Sequence, residues 1–240
     1  MKQTSIALAA ALAATISLSA KADSDRPVAV ELFTSQGCYS CPPAEAYLGK
    51  LAKRPDVVAL EWHVDYWDDL VYGGAGKWKD PFSSAEATTR QRDYNQSIRG
   101  QRRVYTPQMI VAGVSEAVGS NRADVERAIR QMRKAAPKET VDVRRDGNDL
   151  VISAPGVKAP LWRVDFIKEH VTVVRSGENK GKSLASHNIV RSKTRLGDAG
   201  TGALRTAAPA DGMGCAIIAQ KSPDAPILAA KYCPGSAASS

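Results

Sequence analysis

The sequence predicts an α/β protein: a mixed four-stranded sheet covered by helices, followed by a β-rich C-terminal extension or small sandwich. Two observations lead there. Upstream of Pro137, short apolar or alternating runs take turns with runs of helical period, and the last two strand-like runs lie close enough to form a hairpin. Downstream of Pro137 the helical period disappears. Parallel strands need helical crossovers while a hairpin is antiparallel, so the first half should form a mixed sheet.

The first residues stand apart from the fold. Met1-Lys2 is a short basic start, Ile6 to Leu18 is apolar, and Ala20-Lys21-Ala22 has the small-x-small pattern of a signal-peptidase site. Residues 1–22 are read as a secretory signal, since the run falls short of the roughly 20 apolar residues of a spanning helix. No later segment reaches that length. Residues 23–137 are then the α/β domain, 138–235 the β-rich part and 236–240 a loose tail. Cleavage removes two lysines and no acids, so the formal charge falls from +8 to +6. The basic residues, such as Arg90, Arg92, Arg99, Arg102 and Arg103, are interleaved with polar ones and accompany no nucleic-acid recognition motif, which points to a solvated surface. Neither nucleic acid nor, after cleavage, a membrane is an expected partner.

Val28 to Phe33 is a short apolar strand leading directly into two cysteines. From Pro43 to Lys53, Ala44, Tyr47, Leu48, Leu51 and Ala52 share one helical face. Val58, Leu60, Trp62 and Val64 alternate with Ala59, Glu61 and His63, the pattern of a strand with one buried face. Glycines make Asp68 to Pro81 a loop, and Ser83 or Ser84 caps a helix running to about Ile98, although its apolar spacing is poor. Gln108 to Ala112 and Ser115 to Val118 flank Gly113-Val114 as a hairpin. Ser120 or Asn121 then caps a helix in which Val125, Ile129 and Met132 share a face and Glu126 pairs with Arg130 across one turn. Pro137 stops it.

The remainder supplies strands and turns. Thr140 to Arg144 and Asp149 to Ala154 bracket the hairpin signal Asp146-Gly147-Asn148. Leu161 to Ile167, Val171 to Val174, Asn188 to Ser192, Gly214 to Ala219 and Ile227 to Tyr232 are further strand candidates.

Export would place the chain in the periplasm or outside the cell, where disulfides persist. Four cysteines allow three pairings; Cys38 with Cys41 and Cys215 with Cys233 is the economical choice because both pairs are local. Cys38 and Cys41 fall between a strand's end and a helix's start, where unpaired amides and the helix dipole favour thiolate over thiol. Cys38 can then attack and Cys41 can resolve the mixed disulfide. Pro42 and Pro43 fit a first helical turn, but a residue before proline is pushed from helical dihedrals, so Cys41 is expected to sit partly outside the helix. The alternatives for this pair are an inert staple and a two-thiolate site for Cu(I) or half a zinc site. Cys215 and Cys233 are read as a structural disulfide worth about 3 kcal/mol on the loop-entropy model.

The Cys38-Tyr-Ser-Cys41 turn, together with Thr106-Pro107 just before the hairpin, resembles the thioredoxin superfamily. That resemblance implies a thioredoxin-like sheet and a cis Pro107 beside the redox pair. More narrowly, "VELFTSQGCYSCPPAE", "HVDYWDD", "KDPFSS", "YTPQMIVAG" and "GENKGKSL...HNIV" resemble a secreted bacterial family, domain of unknown function 1223, over roughly Arg26 to Cys233. The chain departs from thioredoxin itself in three places: Gly37 replaces the usual aromatic, Tyr39-Ser40 replaces Gly-Pro, and the stretch from Cys41 to Pro107 is longer.

The resulting expectation is an exported thiol–disulfide oxidoreductase exchanging with protein thiols or disulfides, including a redox partner protein, and needing no bound organic cofactor. Tyr105, Thr106 and Pro107 would contact the substrate polypeptide. Glu31, near where thioredoxin keeps a buried carboxylate, is a candidate proton relay. The competing class is a metal-binding or partner-binding module without redox turnover. His63, Asp65, Asp68 and Asp69 are read as a strand end and solvated loop rather than a metal cluster. Glycines 73, 74 and 76 form no phosphate loop, because Trp78 follows Lys77 where Ser or Thr is needed. No nucleophile-elbow motif occurs.

Overall fold

The computed structural model describes residues 26–70, 76–135, 139–200 and 202–237. The expected signal segment 1–22, glycines 73 and 74, Pro137 and tail residues 238–240 lie outside them. The first half contains β1 (Val28–Thr34), α1 (Pro42–Leu51), β2 (Val57–His63), α2 (Ala85–Arg99), β3 (Gln108–Val111), β4 (Ser115–Val118) and α3 (Arg122–Ala135). The second half adds β5 (Asp142–Asp146), β6 (Asp149–Ser153), β7 (Pro160–Val173), β8 (Ser183–Asp198), β9 (Leu204–Ala207), β10 (Met213–Gln220) and β11 (Ile227–Tyr232).

β1 is central, parallel to β2 on one side and antiparallel to β3 on the other. Being covered on both faces, it reads as a near-continuous apolar run and all seven residues are buried. Its period of two sorts side chains between cores. Val28, Val30 and Leu32 meet Leu48 and Leu51 of α1 and Val125 and Ile129 of α3. Ala29 and Phe33 meet Tyr94 of α2 together with Leu60, Trp62, Phe166 and Ile218. The β3–β4 turn places Ala112 and Gly113 at φ 52° and 66°. A Cβ on Gly113 would lie 2.7 Å from the Ala225 carbonyl oxygen, so only glycine fits.

α2 forms as expected, with the Ser84 hydroxyl accepting from Ala87 N at 3.1 Å and Gly100 ending it in the left-handed region. Its apolar spacing is poor because its buried face is largely polar: Thr88, Arg90, Gln91 and Asn95 are inside with Ala87 and Tyr94. In α3, Asn121 Oδ1 accepts from Asp124 N. Glu126 accepts from Tyr47 and Arg54, each at 2.7 Å, and the charge of Arg130, one turn on, also favours its carboxylate.

The sheet does not stop at four strands. It has eight, in the order β11-β10-β7-β8-β2-β1-β3-β4. β8 runs parallel to β2 and touches it at Glu61↔Ile189. Beyond that bridge, side chains complete the edge of β2: Tyr232 Oη accepts from Ala59 N at 2.8 Å and donates to Ala59 O at 3.0 Å, and Asn188 Nδ2 donates to Ala59 O at 2.9 Å. β2 was expected to bury one face; with α1 and β8 across it, all seven residues are buried, Glu61 and His63 included. Strand signals at 161–167 and 171–174 belong to one 14-residue strand, β7, paired with the 16-residue β8.

A separate sheet, β5-β6-β9, packs over the β7–β10–β11 end. Val143, Leu150 and Ile152 meet Leu161, Ile217 and Ala219 there, with Cys215 and Cys233 in the same core. Ser236, assigned above to a loose tail, is fully buried: its hydroxyl accepts from Cys215 N at 3.0 Å and its amide donates to Cys233 O at 2.9 Å.

Candidate functional site

The segment after β1 folds back before α1 begins. Cys38 N donates to Ser35 O at 3.1 Å, Gly37 N to Ser35 Oγ at 3.1 Å and Cys41 N to Cys38 O at 3.2 Å. Cys38 and Cys41 form a disulfide with Cα atoms 5.4 Å apart. Cys41 is the N-cap, just outside the helix as expected, yet it takes helical dihedrals, φ −79° and ψ −37°, despite preceding Pro42: the hydrogen bonds from Ala44 N and Glu45 N to its carbonyl override the pre-proline bias. A second correction matters more. Cys38, the expected nucleophile, is fully buried, as is Cys41, while Tyr39 between them is 65 % exposed. Cys215 and Cys233 form the other disulfide, within the third core.

The Thr106–Pro107 peptide is cis. Its neighbours tie it to the cysteine turn from two sides. Trp67 donates from Nε1 to Thr106 Oγ1 at 2.7 Å, and a Cβ on Gly37 would sit 3.5 Å from Trp67 Cβ. Gly119 fits between Pro107 and Ala44 of α1; a Cβ there would be 3.3 Å from Pro107 and 3.1 Å from Ala44, and its amide donates to Pro107 O at 2.9 Å. Trp67 thus comes from the loop after β2, with its Cβ near Gly37 of the cysteine turn and its indole nitrogen on Thr106. Tyr105 turns to β4 and α2 instead: its hydroxyl binds Glu116, its carbonyl accepts from Gln91, and Arg99 lies over its ring. Thr106 and Pro107 connect to the disulfide turn and α1 through Trp67 and Gly119; the Tyr105 side chain, expected to contact substrate, is occupied within the fold.

Beneath the turn lies a buried charged array. Thr34 donates to Glu45 Oε1 at 2.7 Å; His63 Nδ1 is 2.7 Å from Asp80 Oδ2 and its Nε2 2.9 Å from Glu61 Oε1. Gln36 N donates to Asp80 Oδ2 at 2.8 Å, and His187 N donates to Glu61 Oε2 at 2.8 Å. Burial opposes charge on His63, but Asp80 and Glu61 outweigh it and raise its pKa well above the ordinary imidazole value. Burial would raise Asp80, yet His63 holds it below the usual carboxylate range. At Glu45 the balance falls the other way: burial first, then the charge of Glu61, outweigh the lowering pull of His63 and push its pKa up to about 8. It follows Cys41 by four residues, one helical turn on the same face of α1. Glu45 is therefore a buried acid whose proton affinity is raised toward neutral pH, next along the helix from Cys41.

Glu31 occupies the opposite face. Even-numbered β1 residues pack toward α1, so Glu31 points toward α2, where Arg90 donates to both its oxygens at 2.8 and 2.9 Å and Tyr94 at 2.7 Å. Burial would raise its pKa, but Arg90 brings it below the ordinary carboxylate value. A one-residue difference in register turns a strand residue to the other face. The proton-relay expectation for Glu31 thus meets a permanently paired carboxylate on the wrong side of the sheet. Lys193, beside this group and bonded to Gln220 Oε1 at 3.0 Å, is lowered to about 7 by burial and by Arg90.

The turn between β7 and β8 closes over the cysteine segment. Asn179, fully buried, donates from Nδ2 to Gln36 O at 2.9 Å and Cys38 O at 3.0 Å, while Glu178 Oε2 accepts from Tyr39 N at 3.0 Å. Trp78 Nε1 donates to Gln36 Oε1 at 3.2 Å. Sequence reasoning missed Glu45, Glu61, Trp67, Asp80 and Asn179. Glu45 alone carried a local signal, a carboxylate on the buried side of α1 at i+4 from a cysteine. His63, Asp65, Asp68 and Asp69 do not converge: Asp65 binds Thr88, Asp68 binds Ser83, and Asp69 pairs with Lys77. Among the described residues no group of three or more His, Cys, Asp or Glu has metal-holding geometry.

The family model described as "Protein of unknown function (DUF1223)" matches residues 29–220, from β1 to the end of β10. The chain belongs to this family. Comparison with curated proteins finds no match. Among solved structures, the DUF1223 chain is similar to protein AGR_C_4864 from Agrobacterium tumefaciens, at 27% identity and a TM-score of 0.70, covering 88% of this chain and 96% of that one. It is also similar in fold to HBP35 of Porphyromonas gingivalis, at 12% identity and a TM-score of 0.58, over 87% of this chain and 74% of that one. Both likenesses run through the two halves, so the β-rich half recurs with the first. Two disulfides are formed, and among the described residues no helix is long and apolar enough to cross a membrane.

Proposed function

We propose that this DUF1223 protein is an exported thiol–disulfide oxidoreductase on a thioredoxin-like fold, with Cys38 attacking, Cys41 resolving, and polypeptide thiols or disulfides as partners. The observation that carries the reading is a convergence at one end of the sheet: a Cys-x-x-Cys disulfide opening a helix, a cis-proline turn bridged to it by Trp67 and Gly119, and a buried Glu45, its pKa raised by burial, one turn beyond Cys41. Two disulfides and a signal-like start support export.

In the reducing direction, the Cys38 thiolate attacks one sulfur of a partner disulfide; the partner bond breaks and its other sulfur leaves as a thiolate that takes up a proton. Cys41 then attacks Cys38 Sγ, forming the observed bond and releasing the second partner sulfur, so that two electrons pass to the partner. The Cys41 thiol must lose its proton in that step, and Glu45 in its carboxylate form is the acceptor. With a pKa of about 8, it exchanges that proton near neutral pH rather than locking it away. Oxidation of a partner runs the same steps backwards.

Complete burial of Cys38 and Cys41 favours a second reading, a structural staple. Treating the folded mature chain with dithiothreitol at pH 7, alkylating free thiols and weighing the product separates the two. The redox reading expects Cys38 and Cys41 alkylated while Cys215–Cys233 stays closed; the staple reading expects no alkylation until denaturant is added.

A further inference from the structure

The tip between β7 and β8, Gly177-Glu178-Asn179-Lys180-Gly181-Lys182, takes no part in the chemistry above, yet its polar groups converge on the cysteine turn. Asn179 Nδ2 bridges the carbonyls of Gln36 and Cys38, and its Oδ1 accepts from Lys182 Nζ at 2.9 Å. The same ammonium lies 4.2 Å from the centre of the Tyr39 ring. Glu178 takes the Tyr39 amide, and Thr172 Oγ1 accepts from Gln36 Nε2 at 2.9 Å. The ribbon bearing this tip leaves the sheet before reaching the site. β7 makes its last pair with β10 at Ile167↔Met213, and β8 meets β2 only at Ile189. Past those points β7 and β8 pair only with each other, as far as Val173↔Ser183. His170 packs on Phe82 and His187 on Gly49 of α1, so the ribbon is anchored and the tip beyond it is held to the cysteine turn by the side-chain contacts above.

We propose that this tip is a redox-coupled cover over the Cys38–Cys41 bond, with Glu178 and Asn179 as positioning residues, a proposal that rests on the oxidoreductase reading. Against a neutral disulfide, the Tyr39 amide is free to bind the Glu178 carboxylate. When a dithiol donor reduces the bond, its first sulfur joins one cysteine, its second closes on the first and departs as a disulfide, and two electrons stay on Cys38 and Cys41. The thiolate left on Cys38 is one residue from that amide and repels Glu178, so two anions compete for the same donor and the tip loosens. The cover therefore shields the oxidised pair from casual thiols and opens over the reduced one. It also gives a physical role to the "GENKGK" stretch.

The test uses the full mature chain as wild type, Asn179→Ala and Glu178→Gln. Removing the two hydrogen bonds of Asn179 should speed reduction by a fixed low concentration of dithiothreitol roughly tenfold in the folded state. Glu178→Gln keeps an acceptor for the Tyr39 amide but no charge, and should lower the Cys38 pKa read from thiolate absorbance, with the unfolding midpoint unchanged. Hydrogen exchange at Tyr39 should be slow in the oxidised protein and faster in the reduced one. Wild-type and Asn179→Ala proteins reduced at equal rates would overturn the cover while leaving the oxidoreductase reading intact. Resistance of every folded variant to reduction would overturn both. Should Asn179→Ala not fold, the Glu178→Gln pKa decides, and an unmoved value overturns the coupling.

Discussion

Replacing Glu45 by Gln isolates the buried proton. The substitution keeps the volume and the acceptor for Thr34 Oγ1, but removes the group whose pKa rises from an ordinary 4.5 to about 8. A carboxyl with a raised folded pKa binds more protons folded than unfolded between those values, so the protein loses stability as pH climbs through that window. Each tenfold in proton affinity is worth ~1.4 kcal/mol, so at pH 9 the buried carboxylate costs on the order of 5 kcal/mol that a neutral amide does not. Urea unfolding of both proteins at pH 5, 7 and 9 reads this directly. Wild type should weaken across the series relative to Glu45→Gln, the gap opening from about pH 4.5 up to and just past pH 8 and reaching about 5 kcal/mol at pH 9. Equal pH slopes would refute the assignment of Glu45 as the proton holder and take with it the acceptor for Cys41.

Arg90→Met removes the guanidinium that donates to both Glu31 oxygens, leaving Lys193 as the nearby cation, and should cost about 3 to 5 kcal/mol by urea unfolding, most of it restored by adding Glu31→Gln. Cys215→Ser with Cys233→Ser should lower stability by about 3 kcal/mol without changing thiol exchange at Cys38 and Cys41. Gly49→Ala puts a methyl 2.5 Å from the His187 ring where α1 meets β8, and should lower the thermal midpoint, reflecting about 1 to 3 kcal/mol of overpacking.

Local features of the site were legible in the sequence. The strand, the cysteines and the helical stripe of α1 follow one another within a few turns of chain, and Thr106-Pro107 sits directly before a hairpin with turn chemistry of its own. What the sequence hid was distance and register. The pairing of β8 with β2 joins residues 128 apart through one bridge, Glu61↔Ile189, and the polar alternation of β8 gives no sign that Asn188 and Tyr232 complete an edge. Glu31 and Glu45 are both single carboxylates near the cysteines, and only the period of β1, with Val30 and Leu32 turned toward α1, decides that Glu31 faces away. Asn179 lies 138 residues beyond Cys41, so its hold on the Cys38 carbonyl is a product of tertiary structure alone.

The most direct test of the account is the reduction potential of Cys38–Cys41 in the folded chain, equilibrated against dithiothreitol or glutathione buffers with Cys38→Ser as control. A reversible two-electron equilibrium between about −270 and −120 mV, the span of catalytic dithiols, is the predicted result. A pair that stays oxidised below about −300 mV and opens only on unfolding would contradict it, leaving a structural disulfide at the head of α1.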